Sequence, residues 1–258
     1  MIGAIAGDII GSPHEFDPIK TTDFPLFSAP SRFTDDTVLT IATAEAILTG
    51  GDYTRLYQSY GRRYPDAGYG GRFIHWIYEP EPRPYNSWGN GSAMRVSPIG
   101  FAFNSIEEVL AEARNSAAVT HNHPEGIKGA QATALAVYLA RMGADKHTLK
   151  AEITARFGYN LDRTLDQIRP GYVFNESCRQ TVPEALIAFL ESDAFEDAVR
   201  KAVSLGGDSD TLACITGAVA QAHYGVPPSI IAETRSRLPD DLLHLLDRFA
   251  ARFPAAAV

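Results

Sequence analysis

Apolar residues recur at helical spacing along almost the whole chain. Residues 105–115, SIEEVLAEARN, open with Ser105 and carry Glu108 three places on, a capping-box signature. Residues 124–142 form an alanine-rich run with Pro124 at its first helical position. Residues 181–192 begin TVPE, which predicts a helix with Thr181 as N-cap and Pro183 just inside it. The stretches 193–205, 210–225, 228–238 and 239–253 repeat the period. At the N-terminal end MIGAIAGDII is apolar except for Asp8, and a second apolar run starts at Val38, directly after Asp35 and Asp36. No series of alternating β-branched strands occurs. The pattern predicts an all-α protein of about a dozen helices.

Three segments break the period. Residues 12–33 contain Pro13, Pro18, Pro25 and Pro30; residues 79–91 read EPEPRPYNSWGNG; residues 169–180 carry Tyr172 and Phe174. Long irregular segments in a compact domain are usually functional, and glycines with aromatics suit the walls of a ligand site.

Composition narrows the class. The chain has 258 residues, of which 45% are hydrophobic, enough to bury a large core, and no compositional shift divides it, so one domain over residues 1–258 is expected. A formal net charge of −8 argues against broad nucleic-acid binding, which needs a basic face. Two distant cysteines, Cys178 and Cys214, show no metal or redox spacing, which makes a reducing cytoplasm the expected location. The N-terminal stretch lacks a basic region and is interrupted by Asp8, unlike a signal peptide. No apolar run is long enough to span a bilayer, and no membrane partner is expected.

The candidate chemistry lies in two acidic clusters. Thr34-Asp35-Asp36-Thr37 precedes one apolar helix, and GGDSDTL, with Asp208, Asp210 and Thr211, precedes another. Helix capping explains a single cluster. The helix after Thr211, however, is apolar or small on every side and is therefore buried, together with its acid-bearing end. If the clusters meet, like charges about 4 Å apart repel by roughly 4 kcal/mol at an effective dielectric near 20. Carboxylates with threonine hydroxyls form an all-oxygen shell suited to Mg²⁺ or Mn²⁺, and four carboxylates balance two dications. The phosphatase motif Asp-x-Asp-x-Thr fits poorly, because Leu212 stands where its threonine belongs and no hydrophobic strand precedes it.

GDIIGSPHEF, FTDDT, WGNGSAMRVSPIG, THNHPEGIKGAQATALAVYLA and LGGDSDTLACITGAVAQAHYG, in this order, cover most of the chain. In these stretches the sequence resembles the ADP-ribosylglycohydrolase family. The resemblance implies an all-α orthogonal fold around a binuclear Mg²⁺ or Mn²⁺ site, with Thr34, Asp35, Asp36, Asp208, Asp210 and Thr211 as ligands. It makes Glu15 the glutamate near the metals, with Asp36 and Asp210 as further candidates for the reaction itself. It places Asn90, Gly91, Ser92, Met94 and His121 on the substrate, leaving Arg95 as a structural salt-bridge partner. Tyr172 and Phe174 are candidates for stacking on adenine, with core packing as the alternative. His123 reads as structural. The implied partner is an ADP-ribosylated protein or a small ADP-ribose conjugate, and the implied reaction releases ADP-ribose from arginine, or from serine or another O-linked carrier. A non-catalytic ADP-ribose reader and a metal-dependent phosphohydrolase are the rival classes.

Overall fold

The computed structural model describes residues 1–254; the last four residues of the expected 1–258 domain lie outside the described residues. Among the described residues there are fifteen α-helices: α1 (Ile2–Gly11), α2 (Asp35–Thr49), α3 (Tyr53–Arg63), α4 (Gly71–Trp76), α5 (Gly91–Met94), α6 (Ser97–Ala102), α7 (Ile106–Ala118), α8 (Pro124–Arg141), α9 (Lys146–Phe157), α10 (Leu165–Ile168), α11 (Cys178–Leu190), α12 (Phe195–Val203), α13 (Ser209–Tyr224), α14 (Pro228–Arg235) and α15 (Asp240–Arg252). The only extended pairing among these residues is one antiparallel bridge, Gly89 to Ser177. The all-α expectation holds, and no helix is long and apolar enough to cross a membrane.

The centre of the fold is the crossing of α1 and α13. A Cβ on Gly3 would stand 2.5 Å from the Gly217 carbonyl oxygen, one on Gly7 2.0 Å from that of Ala213, and one on Gly11 2.4 Å from that of Ser209. Every fourth residue of α1 therefore has to be glycine for two backbones to touch along their length. The register is antiparallel, so the end of α1 meets the start of α13. Ile5, Ile9, Leu212, Ile215 and Val219 fill the flanks, fully buried. The helix α2 packs on this pair, and α8 and α11 close the other side.

Helix starts follow the local chemistry, with two differences. Ser105 caps α7 by accepting from the Glu108 N–H at 3.2 Å, but the Glu108 carboxylate returns to Asn104 N–H rather than to Ser105. The helix expected from Thr181 begins earlier, at Cys178, and Pro183 sits inside it. Tertiary contacts impose the extra turn: the Cys178 N–H donates to the Trp88 carbonyl at 3.1 Å and its thiol to the Gly89 carbonyl at 3.0 Å. Thr181 accordingly caps nothing; its hydroxyl donates to the Asn175 carbonyl at 3.1 Å. His123 proves to be the N-cap of α8, its Nδ1 accepting from Glu125 N–H at 3.1 Å.

Candidate functional site

Asp8 is a full charge inside the apolar helix α1, with no exposure to solvent. Four donors converge on it. Thr34 N–H reaches Oδ2 at 2.9 Å and Thr37 N–H at 3.1 Å; Thr34 Oγ1 reaches Oδ1 at 2.7 Å, and Thr37 Oγ1 also donates to Oδ2. These bonds pin the N-terminus of α2 to the middle of α1. Thr34 is at the same time the N-cap of α2, accepting from Asp36 N–H at 3.4 Å. Burial pushes the Asp8 carboxyl up to about 6, against the pull of the four donors.

The second cluster arrives by the α1–α13 crossing. Gly206 turns in the left-handed region, φ +61°, and a Cβ on Gly207 would come within 2.5 Å of the Tyr172 ring. Those two constraints explain the glycine pair before Asp208. Ser209 Oγ donates to the His14 carbonyl at 3.1 Å and so ties this loop to the short 3₁₀ turn Ser12–His14 that precedes Glu15. Glu15, Asp208 and Asp210 each present a carboxylate oxygen, all within 4.8 Å of one another. The first cluster joins them where Thr211 Oγ1 donates to Asp36 Oδ2 at 3.2 Å, between residues 175 apart in sequence. The two acid-tipped helix ends therefore do confront each other.

Electrostatics agree with the crowding. Burial first, then neighbouring carboxylates, raise Asp35, Asp36 and Asp210 well above the carboxylate range, and burial also raises Asp208. Glu15, at the edge of the cluster, is pushed up to about 7 by burial and by the charges of Asp208 and Asp8, with Arg32 opposing them. The residues fit a hard cation. Asp36 Oδ1 is buried with no hydrogen-bond partner. The converging donors are carboxylate and hydroxyl oxygens, the shell that Mg²⁺ and Mn²⁺ prefer.

Above the acids lies a cavity of about 620 Å³, in the range of small-molecule and cofactor sites. Glu15, Asp35, Asp36, Asp208, Asp210 and Thr211 form its acidic floor. Asn90, Gly91, Met94 and His121 line it as expected, and Phe174 does too. Asn90 Nδ2 donates to Asp208 Oδ2 at 2.7 Å, which couples this wall to the floor.

Two residues expected on the substrate are placed elsewhere. Ser92 is fully buried, its hydroxyl committed to the Gly126 carbonyl at 2.7 Å. Tyr172 packs against Gly207 beneath the loop of Asp208 and donates to the Gln180 carbonyl at 3.2 Å, so core packing explains it and Phe174 takes the cavity. Thr34 joins the floor to α1: its hydroxyl donates to Asp8 at 2.7 Å and accepts from Asp36 N–H at 3.4 Å, with one lone pair left over. Sequence reasoning missed Asp8 as the link between α1 and α2, and it missed the wall at 68–73. The signals were a charge within an apolar helix and the glycine cluster GYGGRF. Arg95 is no salt-bridge partner: it is fully buried, no carboxylate pairs with it among the described residues, and its guanidinium lies 4.2 Å from the Tyr57 ring centroid.

An acidic, oxygen-lined floor under a cavity that admits a nucleotide-sized ligand suits a hydrolase acting on a nucleotide-like substrate. Comparison with known proteins narrows this class. The chain belongs to the ADP-ribosylglycohydrolase family, whose model matches residues 1–257. It is 29% identical over 307 residues to the ADP-ribosylhydrolase ARH3 of Homo sapiens, covering 88% of this chain and 84% of that protein. It is 28% identical over 266 residues to the ADP-ribosylarginine hydrolase Tri1 of Pseudomonas putida (strain GB-1), covering 88% and 70%. A solved structure titled ADP-ribosylglycohydrolase-related protein complex superposes with a TM-score of 0.70 at 26% identity, over 96% of this chain and 97% of that one. The chain is a glycosidic hydrolase that removes ADP-ribose from a conjugate.

Proposed function

We propose that the protein is a divalent-cation-dependent hydrolase that removes ADP-ribose from modified arginine side chains. The observation that carries the cation dependence is the meeting of Glu15, Asp208 and Asp210 within 4.8 Å, joined to Asp36 through Thr211. Thr34, Asp35, Asp36, Asp208, Asp210 and Thr211 would hold two ions, Mg²⁺ or Mn²⁺. Bound ions would supply a Lewis acid that orients the terminal ribose and makes a nearby water more acidic, while the carboxylates offset the positive charge developing at the anomeric carbon. The chain's own residues do the rest. Glu15 sits at the cavity edge with its carboxylate beside those of Asp208 and Asp210, placed to take a proton from the attacking water. The water oxygen bonds to the anomeric carbon, the bond to the side-chain nitrogen breaks, and the proton held by Glu15 passes to that nitrogen. Asn90 and His121, which line the cavity above the floor, would hold the nucleotide end.

The arginine assignment rests on the rim beside Glu15. Phe16 is 81% exposed and stacks with Phe174 across the mouth, ring centroids 6.0 Å apart and 25° from parallel. A planar guanidinium stacks on such faces, and a surplus of carboxylates beneath them favours a cationic carrier; a seryl oxygen gains nothing from either. Tri1 carries arginine in its printed name, which supports the same choice. The test is release of free ADP-ribose from ADP-ribosyl-arginine and ADP-ribosyl-serine peptides, with Mg²⁺, Mn²⁺ or chelator. Arginine turnover that needs the ion and is lost in Asp36→Ala and Asp210→Ala is expected. Faster turnover of the serine peptide would overturn the carrier assignment. Full activity of either variant, or in chelator, would overturn the cation site.

A further inference from the structure

Arg95 is a buried cation without an anion. Its Nη2 donates to the Ser116 carbonyl at 2.8 Å and to Thr120 Oγ1 at 2.9 Å, while Nε and Nη1 have no partner. An unpaired buried charge is unfavourable by several kcal/mol, in order of magnitude, so its retention calls for a reason. The reason lies one residue further along. Thr120 Oγ1 is 2.7 Å from His121 Nδ1, and His121 lines the cavity.

The network assigns the proton. A guanidinium only donates, so Thr120 Oγ1 accepts from Arg95. The threonine hydroxyl hydrogen then needs an acceptor, and Nδ1 of His121 is the only one beside it among the described residues. Nδ1 accepts, and the ring proton resides on Nε2. Burial and then the Arg95 charge hold the His121 ring well below its ordinary pKa, so it stays neutral. The Nε2 edge faces the glycine turn: a Cβ would stand 3.2 Å from Nε2 on Gly91 and 3.5 Å on Gly89. Among the described residues none accepts from Nε2.

We propose that Arg95 and Thr120 are positioning residues that lock His121 in its Nε2–H tautomer, so that the ring donates into the cavity at the Gly89–Gly91 turn to an acceptor on the bound ADP-ribose. The ligand half of this statement rests on the ADP-ribose reading above; the tautomer half does not. The relay also explains why arginine stands at 95. The flat guanidinium lies on the Tyr57 ring, 4.2 Å from its centroid, while Nη2 donates to both Ser116 and Thr120.

The test uses Thr120→Val, which keeps the side-chain volume, and Thr120→Ser, which keeps the hydroxyl. Nitrogen NMR of the histidine-labelled full chain reads the tautomer directly. Wild type and Thr120→Ser are expected to show a protonated Nε2 and bare Nδ1; Thr120→Val should shift toward the other tautomer. Calorimetry with free ADP-ribose should show Thr120→Val binding about tenfold more weakly, the loss of one hydrogen bond, with affinity rescued in Thr120→Ser. In turnover the loss should fall on KM with kcat retained, since His121 lines the cavity above the floor and is not one of its acids. A wild-type ring protonated on Nδ1, or a spectrum unchanged by Thr120→Val, would overturn the lock. A changed tautomer with unchanged ADP-ribose affinity would overturn the donor role. Wild-type protein that binds no ADP-ribose would instead sink the functional reading and leave the tautomer to the spectrum.

Discussion

Replacing Asp8 by asparagine should separate cation binding from folding. The carboxylate accepts three hydrogen bonds at Oδ2 and one at Oδ1. Three donors at Oδ2 force the amide oxygen to that side, so the amide NH₂ must face Thr34 Oγ1. In the native protein Thr34 donates to Asp8 and accepts from Asp36 N–H, which leaves one lone pair for an ion. In Asp8→Asn the NH₂ takes that lone pair. The fold should tolerate this exchange. Raising the Asp8 carboxyl from its ordinary 3.8 to about 6 means that its surroundings disfavour the charge by about 3 kcal/mol. That balance already includes the four hydrogen bonds, and since the amide keeps the three at Oδ2 and reverses the fourth, the net change should stay within about 1–2 kcal/mol. Loss of a residue that orients a metal ligand typically lowers ion affinity by about 10–100-fold. Titration calorimetry with Mn²⁺ beside thermal melts in chelator makes the comparison. A folded Asp8→Asn protein that binds Mn²⁺ as tightly as wild type would refute the role given to Asp8 and Thr34.

Gly7→Ala should unfold the protein or cut its stability by more than about 3 kcal/mol, because the new methyl would lie 2.0 Å from a backbone oxygen that cannot give way. Gly71→Ala, with nothing within 4 Å of its Cβ, should leave the melting temperature unchanged or slightly raised; equal effects of the two in thermal melts would exclude the close α1–α13 crossing. In chelator the melting temperature should fall as pH rises from about 4.5 to 7. Asp8 and Glu15 have folded pKa values raised to about 6 and about 7, so the folded state binds more protons than the unfolded chain across that window. Saturating Mg²⁺ should reverse the slope, because ion binding needs the carboxylates ionised; parallel curves with and without Mg²⁺ would contradict the acidic floor as the ion site.

Much of this was legible in the residues. The 3.6 period located the long helices, and Thr34, Ser105 and Pro124 marked their starts, because capping and proline act through neighbours in sequence. The start of α11 was not legible. Thr181-Val182-Pro183 has the local grammar of an N-terminus, yet contacts from the 88–90 turn pull the helix back to Cys178. Tyr172 and Phe174 are equivalent on paper, two aromatics in one irregular loop. Packing on Gly207 takes the first into the interior and leaves the second at the mouth.

The glycines at 3, 7 and 11 and the acids at 35, 36, 208 and 210 are properties of the sequence alone, as is the all-α class. Their spacing specifies a close helix contact and two acid-tipped helix ends, because glycine period and capping are short-range rules. Which helix α1 would meet, and in what register, was decided only when carbonyls of α13 filled the notches left by the glycines. That choice brings Thr211 and Asp210 to Asp36. Contacts between residues 175 apart depend on the shape of the whole core, and no local pattern encodes that shape.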